Sequence, residues 1–391
     1  MKRFLLLTAL ALTATTQAFA QSSQFGVRGI GHPGRLESAR ATAMGGALGI
    51  FDGLSNRNPA ALAQLGTVTS MFTATTAWTS VTNPAGDASL TSTRFPQMVV
   101  AGPVARTPIT LAFSYSTYAD RDFAIASMGT VSPRGTPVGF TDTLTARGGV
   151  NDLRLAGSWR VSPRLAVGAG VHLLTGSNRL ATRRVFDDST YIVAEQRAEL
   201  SYQGFGVSAG FMYQPTPGFA IAGSVRQDGS LTIERDSTRL PASVDLPLTL
   251  AGGARLRVTP SLDVAAQVTA RNWSVADEGI RANGAPGADN TLEVSAGGEV
   301  QTDARRAGHR PIRFGARYAT LPFLLGAGEQ PSEWGVSVGS GMRFRPGSDA
   351  RDVGAIDLTI ERVQRKQGTA FSESAWILSV GVSIFTSGSG Q

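Results

Sequence analysis

The stretch NDLRLAGSWRV at residues 151–161, followed after Ser162-Pro163-Arg164 by LAVGAGVHL at 165–173, decides the fold class. In the first run the odd positions are Asn151, Leu153, Leu155, Gly157, Trp159 and Val161, and the even ones are Asp152, Arg154, Ala156, Ser158 and Arg160. Side chains of an extended chain point alternately to opposite faces, so one face here is mostly apolar and the other polar or small. The second run repeats the alternation with Leu165, Val167, Ala169, Val171 and Leu173. The residues between the runs allow only a tight connection, and the pair reads as a hairpin.

Outward from this hairpin the same period recurs. Segments at 67–79, 94–102, 109–118, 149–161, 164–175, 200–213, 218–226, 246–258, 261–273, 291–301, 311–319, 333–344, 353–363 and 373–385 make about fourteen strands, each near the ten residues that a tilted strand needs to cross hydrocarbon. Short connections carry Pro103, Pro163, Pro215 with Pro217, Pro260 and Pro346, and read as periplasmic turns. Longer ones at 119–148, 176–199, 227–245 and 274–290 read as extracellular loops. A water-soluble sandwich also alternates. Here, however, the polar face is built of Gly, Ala, Ser and single Arg residues, which suits a crowded lumen. The aromatics Trp159, Trp273, Tyr318, Trp334, Phe344, Trp376 and Phe385 fall near segment ends, where interfacial girdles belong. The expectation is an all-β chain, a transmembrane antiparallel β-barrel over residues 67–391.

Composition agrees. Charged residues are 17% of the 391, well below the quarter or so usual in soluble domains, and glycine is abundant at 46. The absence of cysteine excludes a disulfide framework, a thiolate metal site and a thiol nucleophile, and three histidines in different settings give no metal centre. No cofactor motif is present. Lys+Arg exceed Asp+Glu by 36 to 29, but the positive charge is dispersed, which argues against nucleic acid as a partner. Met1-Lys2-Arg3, an apolar run at 4–12 and Ala18-Phe19-Ala20 before Gln21 form a signal-peptide pattern, predicting export with cleavage after residue 20.

A barrel of this size either conducts or needs a plug. Residues 21–66 do not alternate. They contain the small-residue run 38–49 and then Asn58-Pro59-Ala60-Ala61-Leu62, where Asn58 can cap a helix whose first position is Pro59. Ser38-Ala39-Arg40-Ala41 with Met44-Gly45-Gly46-Ala47, followed by Asn58-Pro59-Ala60, resembles the N-terminal hatch of the FadL/TodX family of outer-membrane transporters for long-chain fatty acids and other hydrophobic compounds. The stretch from Ala355 through Glu361, Arg362 and Arg365 to Trp376 and Phe385 also resembles that family's closing hairpin.

The resemblance implies a fourteen-stranded barrel in the outer membrane, stoppered by residues 21–66. It implies passive uptake of a hydrophobic small molecule such as a long-chain fatty acid, captured by outer loops and released by movement of the hatch. Asn58, Pro59, Ala60, Gly45 and Gly46 are then the hatch motif. Phe123, Met128, Phe140, Phe186 and Tyr191 on the long loops are the candidate capture residues, although long loops also serve as plain surface shields. Members of the family open laterally at a kinked third strand, yet 109–118 contains no Gly or Pro to mark a bulge.

By parity Arg154, Arg160, Arg255, Arg257, Arg271, Arg313, Arg317 and Arg343 face the lumen, where Asp152, Asp263, Asp357, Glu361 or the hatch are their expected partners. The surplus arginine also suits lipopolysaccharide phosphates, and the chain is expected to be a monomer. A different role, as a non-transporting barrel partner of a protein-secretion system, is the alternative. Gly-x-Ser-x-Gly occurs at 206–210 and 335–339, but inside alternating strands and not at a strand-to-helix elbow, so no catalytic centre is expected.

Overall fold

The computed structural model describes residues 23–84, 86–133, 135–236, 242–281, 286–302, 310–326, 328–345 and 352–386, and the expected signal peptide lies outside these. Among the described residues fourteen antiparallel strands form a closed ring. They are β1 (Val68–Asn83), β2 (Gly86–Pro103), β3 (Ile109–Asp120), β4 (Val138–Ser162), β5 (Leu165–Phe186), β6 (Ala194–Thr216) and β7 (Phe219–Asp228). The second half comprises β8 (Leu248–Thr259), β9 (Leu262–Arg271), β10 (Thr291–Val300), β11 (Ile312–Thr320), β12 (Ser332–Phe344), β13 (Gly354–Gln367) and β14 (Phe371–Thr386). Each pairs with its successor, and β14 pairs back with β1 from Ser372↔Thr82 to Thr386↔Val68. Closure removes the free edges that an open sheet would expose.

Alternation sorts the side chains as the sequence predicts. On β4, Leu155 and Trp159 are exposed on the outer surface at 58% and 53%, whereas Arg154, Ala156 and Ser158 are buried inside. The outward aromatics include Tyr318, Trp334 and Trp376, and Trp78 stands in register with Trp376. Trp273 departs from this expectation. β9 stops at Arg271 and the chain turns inward, so the indole is buried and meets Phe323 edge-on at 5.1 Å. Both rings belong to an apolar cap with Ile30, Leu231, Val244, Leu246 and Ile280 beneath the rim that carries the long connections.

The long connections expected at 119–148 and 176–199 are largely strand. Phe123–Val131 pairs with the first part of β4, and β5 and β6 run on together to Arg184↔Ala194. The alternation is hard to follow there because Gly148 and Gly176 adopt positive φ (122° and 155°), which interrupts the pleat while the ladder continues. The opposite rim has tight turns, such as 163–164 between β4 and β5 and 260–261 between β8 and β9.

Candidate functional site

Residues 23–66 lie inside the ring, running from the long-hairpin rim, where Ser23 Oγ donates to Glu373 at 2.7 Å, to the short-turn rim, where Arg160 donates to the Ala63 carbonyl. Two sides hold the segment by packing. Ile50, Phe51 and Ala60 contact Ala166, Met212, Ala222 and Ala265 of β5, β6, β7 and β9. Leu62 packs with Met71, Val99, Ala112 and Ala156 of β1 to β4. Leu62 is fully buried, which contributes about 1.5–3 kcal/mol.

The third side, β10 to β14, holds it by charge. Arg40 forks onto Glu299 at 3.1 and 3.2 Å, Arg35 meets Glu361 at 2.6 Å, and Arg57 joins Glu37 at 2.5 Å to Glu293 at 3.2 Å. Burial by itself would lower the pKa of the Arg57 guanidinium, but Glu37 and Glu293 outweigh it and hold the value above that of ordinary arginine.

The motif residues have local reasons. Gly45 and Gly46 adopt φ of +68° and +93°, and a Cβ at Gly45 would overlap the backbone of Ala316. Across from them a Cβ at Gly315 would overlap Met44, so glycine on both sides lets two backbones touch. Asn58 Oδ1 accepts from Ala60 N at 3.0 Å and caps the 3-10 helix Pro59–Gln64, with Pro59 at its first position. Asn58 Nδ2 donates to Ile50 O and, on β6, to Phe211 O, both at 3.1 Å.

The lumen arginines pair mainly with wall carboxylates. Arg313 bridges Glu299 and Asp357 at 2.6 Å each, Arg317 bridges Glu333 and Glu361, and Arg255 and Arg257 share Asp263. Arg271 meets Glu293 and Arg343 meets Asp352. Arg154 differs: it is 1% exposed, and its Nε and Nη1 have no hydrogen-bond partner.

The ring has a discontinuous seam. β2 and β3 pair only from Gln97↔Ser116 to Pro103↔Thr110, so 86–96 of β2 is laddered to β1 alone. Pro96 has no N–H to donate, and the β1–β2 register shifts beside it. On the far side of the seam β3 slips register against β4 between Thr117 and Ala119 despite having no Gly or Pro, and its freed edge pairs with His32 and Pro33. Arg94 reaches across to Asp120 and, at 2.5 Å, to Asp122, an ionic clasp over the gap that sequence reading missed because it depends on register.

Behind the seam lies a cavity of about 170 Å³ with Thr75, Ala77, Pro96 and Ile377 in its wall and His32 to Arg35 as its floor. At the long-hairpin rim a vestibule of about 620 Å³ is lined by Val81, Leu90, Phe123, Ile125 and Phe371 with Val27 of the segment. A second, of about 450 Å³, lies between the segment, Leu180, Leu200 and Ile233.

Of the candidate capture residues, Phe123 faces the larger vestibule and is buried. Phe140, Phe186 and Tyr191 form a separate cluster at the hairpin tips, with centroids 6.4 and 5.2 Å apart and the Arg184 guanidinium 3.9 Å over Phe140. Met128 is 88% exposed and joins neither group. The Gly-x-Ser-x-Gly serines also separate. Ser337 Oγ donates to Ala43 O and accepts from Gly45 N, serving the segment, whereas Ser208 lies 2.9 Å from His172 Nε2.

A family model described as BamG matches residues 1–247, which include the segment and β1 to β7. No curated protein matches the chain. Solved structures resemble it along nearly the whole length. A Pseudomonas aeruginosa FadL homologue aligns over 90% of this chain and 99% of its own at 13% identity, with a TM-score of 0.61. The CymD monoaromatic hydrocarbon channel aligns over 92% and 99% at 16% identity, with a TM-score of 0.54. The Pseudomonas putida toluene transporter TodX aligns over 84% and 93% at 15% identity, with a TM-score of 0.51. At such identities the likeness is one of fold, so the FadL/TodX resemblance holds for the architecture, while the sequence match carries a different family name.

Proposed function

The chain belongs to the BamG family, and on that premise and the geometry of its lumen we propose that it is an outer-membrane channel for the passive uptake of hydrophobic small molecules, with residues 21–66 as its hatch. One observation carries the reading: an apolar vestibule, a tied segment and a gap in the wall are contiguous, since the segment lines both the vestibule and the cavity behind the seam. An apolar solute gains by leaving water for such a surface. Phe123 and its neighbours receive it, the segment shifts, and the compound leaves between β2 and β3 into the membrane. The fold neighbours include a monoaromatic hydrocarbon channel and a toluene transporter, which favours compact apolar ligands; long-chain fatty acids are the other ligand class for the same path.

In this reading the exposed belt typified by Leu155 meets lipid, and the solvent-facing Arg179 and Arg197 at the long-hairpin rim meet lipopolysaccharide phosphates. The lumen is complete within one chain, so the channel works as a monomer. Uptake of labelled toluene and labelled oleate by cells carrying the protein in their outer membrane tests the proposal. Acceleration of either over empty-vector cells is expected, with the rate altered when Asn58 and Pro59 are both replaced by Ala and the barrel still assembles. No acceleration of either solute overturns it.

A further inference from the structure

We propose that Asp152, His172 and Ser208 form a hydrolytic triad on the inner wall, acting on carboxylic esters that enter the lumen. This goes beyond the channel reading and does not depend on which compound passes through. The three residues sit on consecutive strands β4, β5 and β6, each pointing inward. Ser208 Oγ is 2.9 Å from His172 Nε2, and His172 Nδ1 is 2.9 and 3.0 Å from the two Asp152 oxygens. An ionised carboxylate only accepts, so Nδ1 carries the proton and the Nε2 lone pair faces the serine hydroxyl. That is the tautomer a general base requires. Arg226 Nη1 donates to Asp152 at 2.6 Å and holds the carboxylate in place.

The wall is shaped for this arrangement. Ser208 stands in register with Gly170 and His172 with Gly206. A Cβ at Gly170 would come 2.9 Å from Ser208 Oγ, and one at Gly206 would overlap Asp228. Two guanidinium groups flank the serine and the imidazole: Arg226 is the register partner of Ser208, and Arg154 of His172. Arg226 Nη2 and Arg154 Nε and Nη1 are buried without hydrogen-bond partners. Donors that no side chain engages, beside a serine–histidine pair, are of the kind that a developing oxyanion needs.

In the reaction Ser208 Oγ bonds to the ester carbonyl carbon while its proton passes to His172 Nε2, and the carbonyl electron pair moves onto oxygen, facing the guanidinium donors. The ester C–O bond breaks, and the alcohol departs with the proton from His172. Water then loses a proton to His172 and attacks the acyl-serine; the bond from the acyl carbon to Oγ breaks, Oγ takes the proton back from His172, and the carboxylic acid leaves. The cavity that Ser208 shares with Leu36, Tyr118 and Trp273 is about 50 Å³, room for water but not for an acyl chain, so an ester enters when the segment around Leu36 withdraws.

The purified full-length protein in detergent, treated with a fluorophosphonate probe and with p-nitrophenyl butyrate, tests this. A covalent adduct mapped to Ser208 by peptide mass spectrometry is expected. It should be absent in Ser208→Ala and slower by about 100-fold in His172→Gln, with ester turnover falling in parallel. Should a variant fail to fold by circular dichroism, the wild-type adduct alone decides. No adduct on Ser208, either in the wild type or in Arg57→Ala with its loosened segment, overturns the proposal. That failure would leave the channel reading intact, because Ser208→Ala is not expected to change solute passage.

Discussion

Asn58 is 0% exposed, and every polar atom of its side chain is satisfied, with one bond to its own helix cap, one to Ile50 and one to the wall at Phe211. Asn58→Ala removes all three bonds, a loss of about 2–3 kcal/mol from docking of the segment. Hydrogen exchange should then accelerate for residues 58–66 and stay unchanged in β4 to β6; equal acceleration in the strands would show that Asn58 supports the whole barrel and not the segment. Gly45→Ala combines a left-handed backbone with overlap onto Ala316. The expected outcome is protease cleavage within residues 23–66 of an otherwise intact barrel, and a wild-type digestion pattern would refute the close approach. The cap at Asn58-Pro59 was legible in the sequence because capping is settled within three residues. The bond to Phe211 was not, since it joins positions 153 apart whose meeting depends on the barrel closing.

At the scale of elements, alternation gives a strand its face but not its height against a neighbour. That is why the fourteen strands are legible in the sequence while the rim extensions of β4, β5 and β6 read as loops. It is also why 109–118 showed no sign of a break: the interruption comes from Pro96 on the neighbouring strand and from a register slip at Tyr118. The seam has a dynamic signature. Amides of 87–95 that point away from β1 have no ladder partner on β3, so a peptide covering them should exchange several-fold faster than one covering 97–103. Arg94 is the side chain that closes this gap, through Asp120 and Asp122. Arg94→Ala should therefore raise the permeation of an apolar dye through protein-loaded vesicles while leaving far-UV circular dichroism unchanged. Permeation at the wild-type rate would mean that the seam does not gate the path.

For the molecule as a whole, adjacent residues of one strand face opposite environments. Arg154 is buried on the lumen side of β4, whereas Leu155 is 58% exposed on the outside, packed in this account against lipid. Inside, glycine and alanine leave space for the segment, and among the described residues most buried carboxylates and guanidinium groups are paired; the outward belt typified by Leu155, Trp159 and Tyr318 is apolar. The low overall charge and the glycine excess were visible in the composition, but the ionic ties between residues 35–57 and β10 to β13 were not, because they join positions more than two hundred residues apart. Leu155→Arg places a guanidinium in the hydrocarbon region, and the barrel refolded in phospholipid vesicles should lose about 2–4 kcal/mol of stability in urea titrations. A substitution to a polar residue on a water-exposed surface usually changes stability by less than about 0.5 kcal/mol. A loss of that smaller size, together with solubility of the wild type without detergent, would show that the outer face meets water, and the reading of this ring as a membrane channel would fail with it.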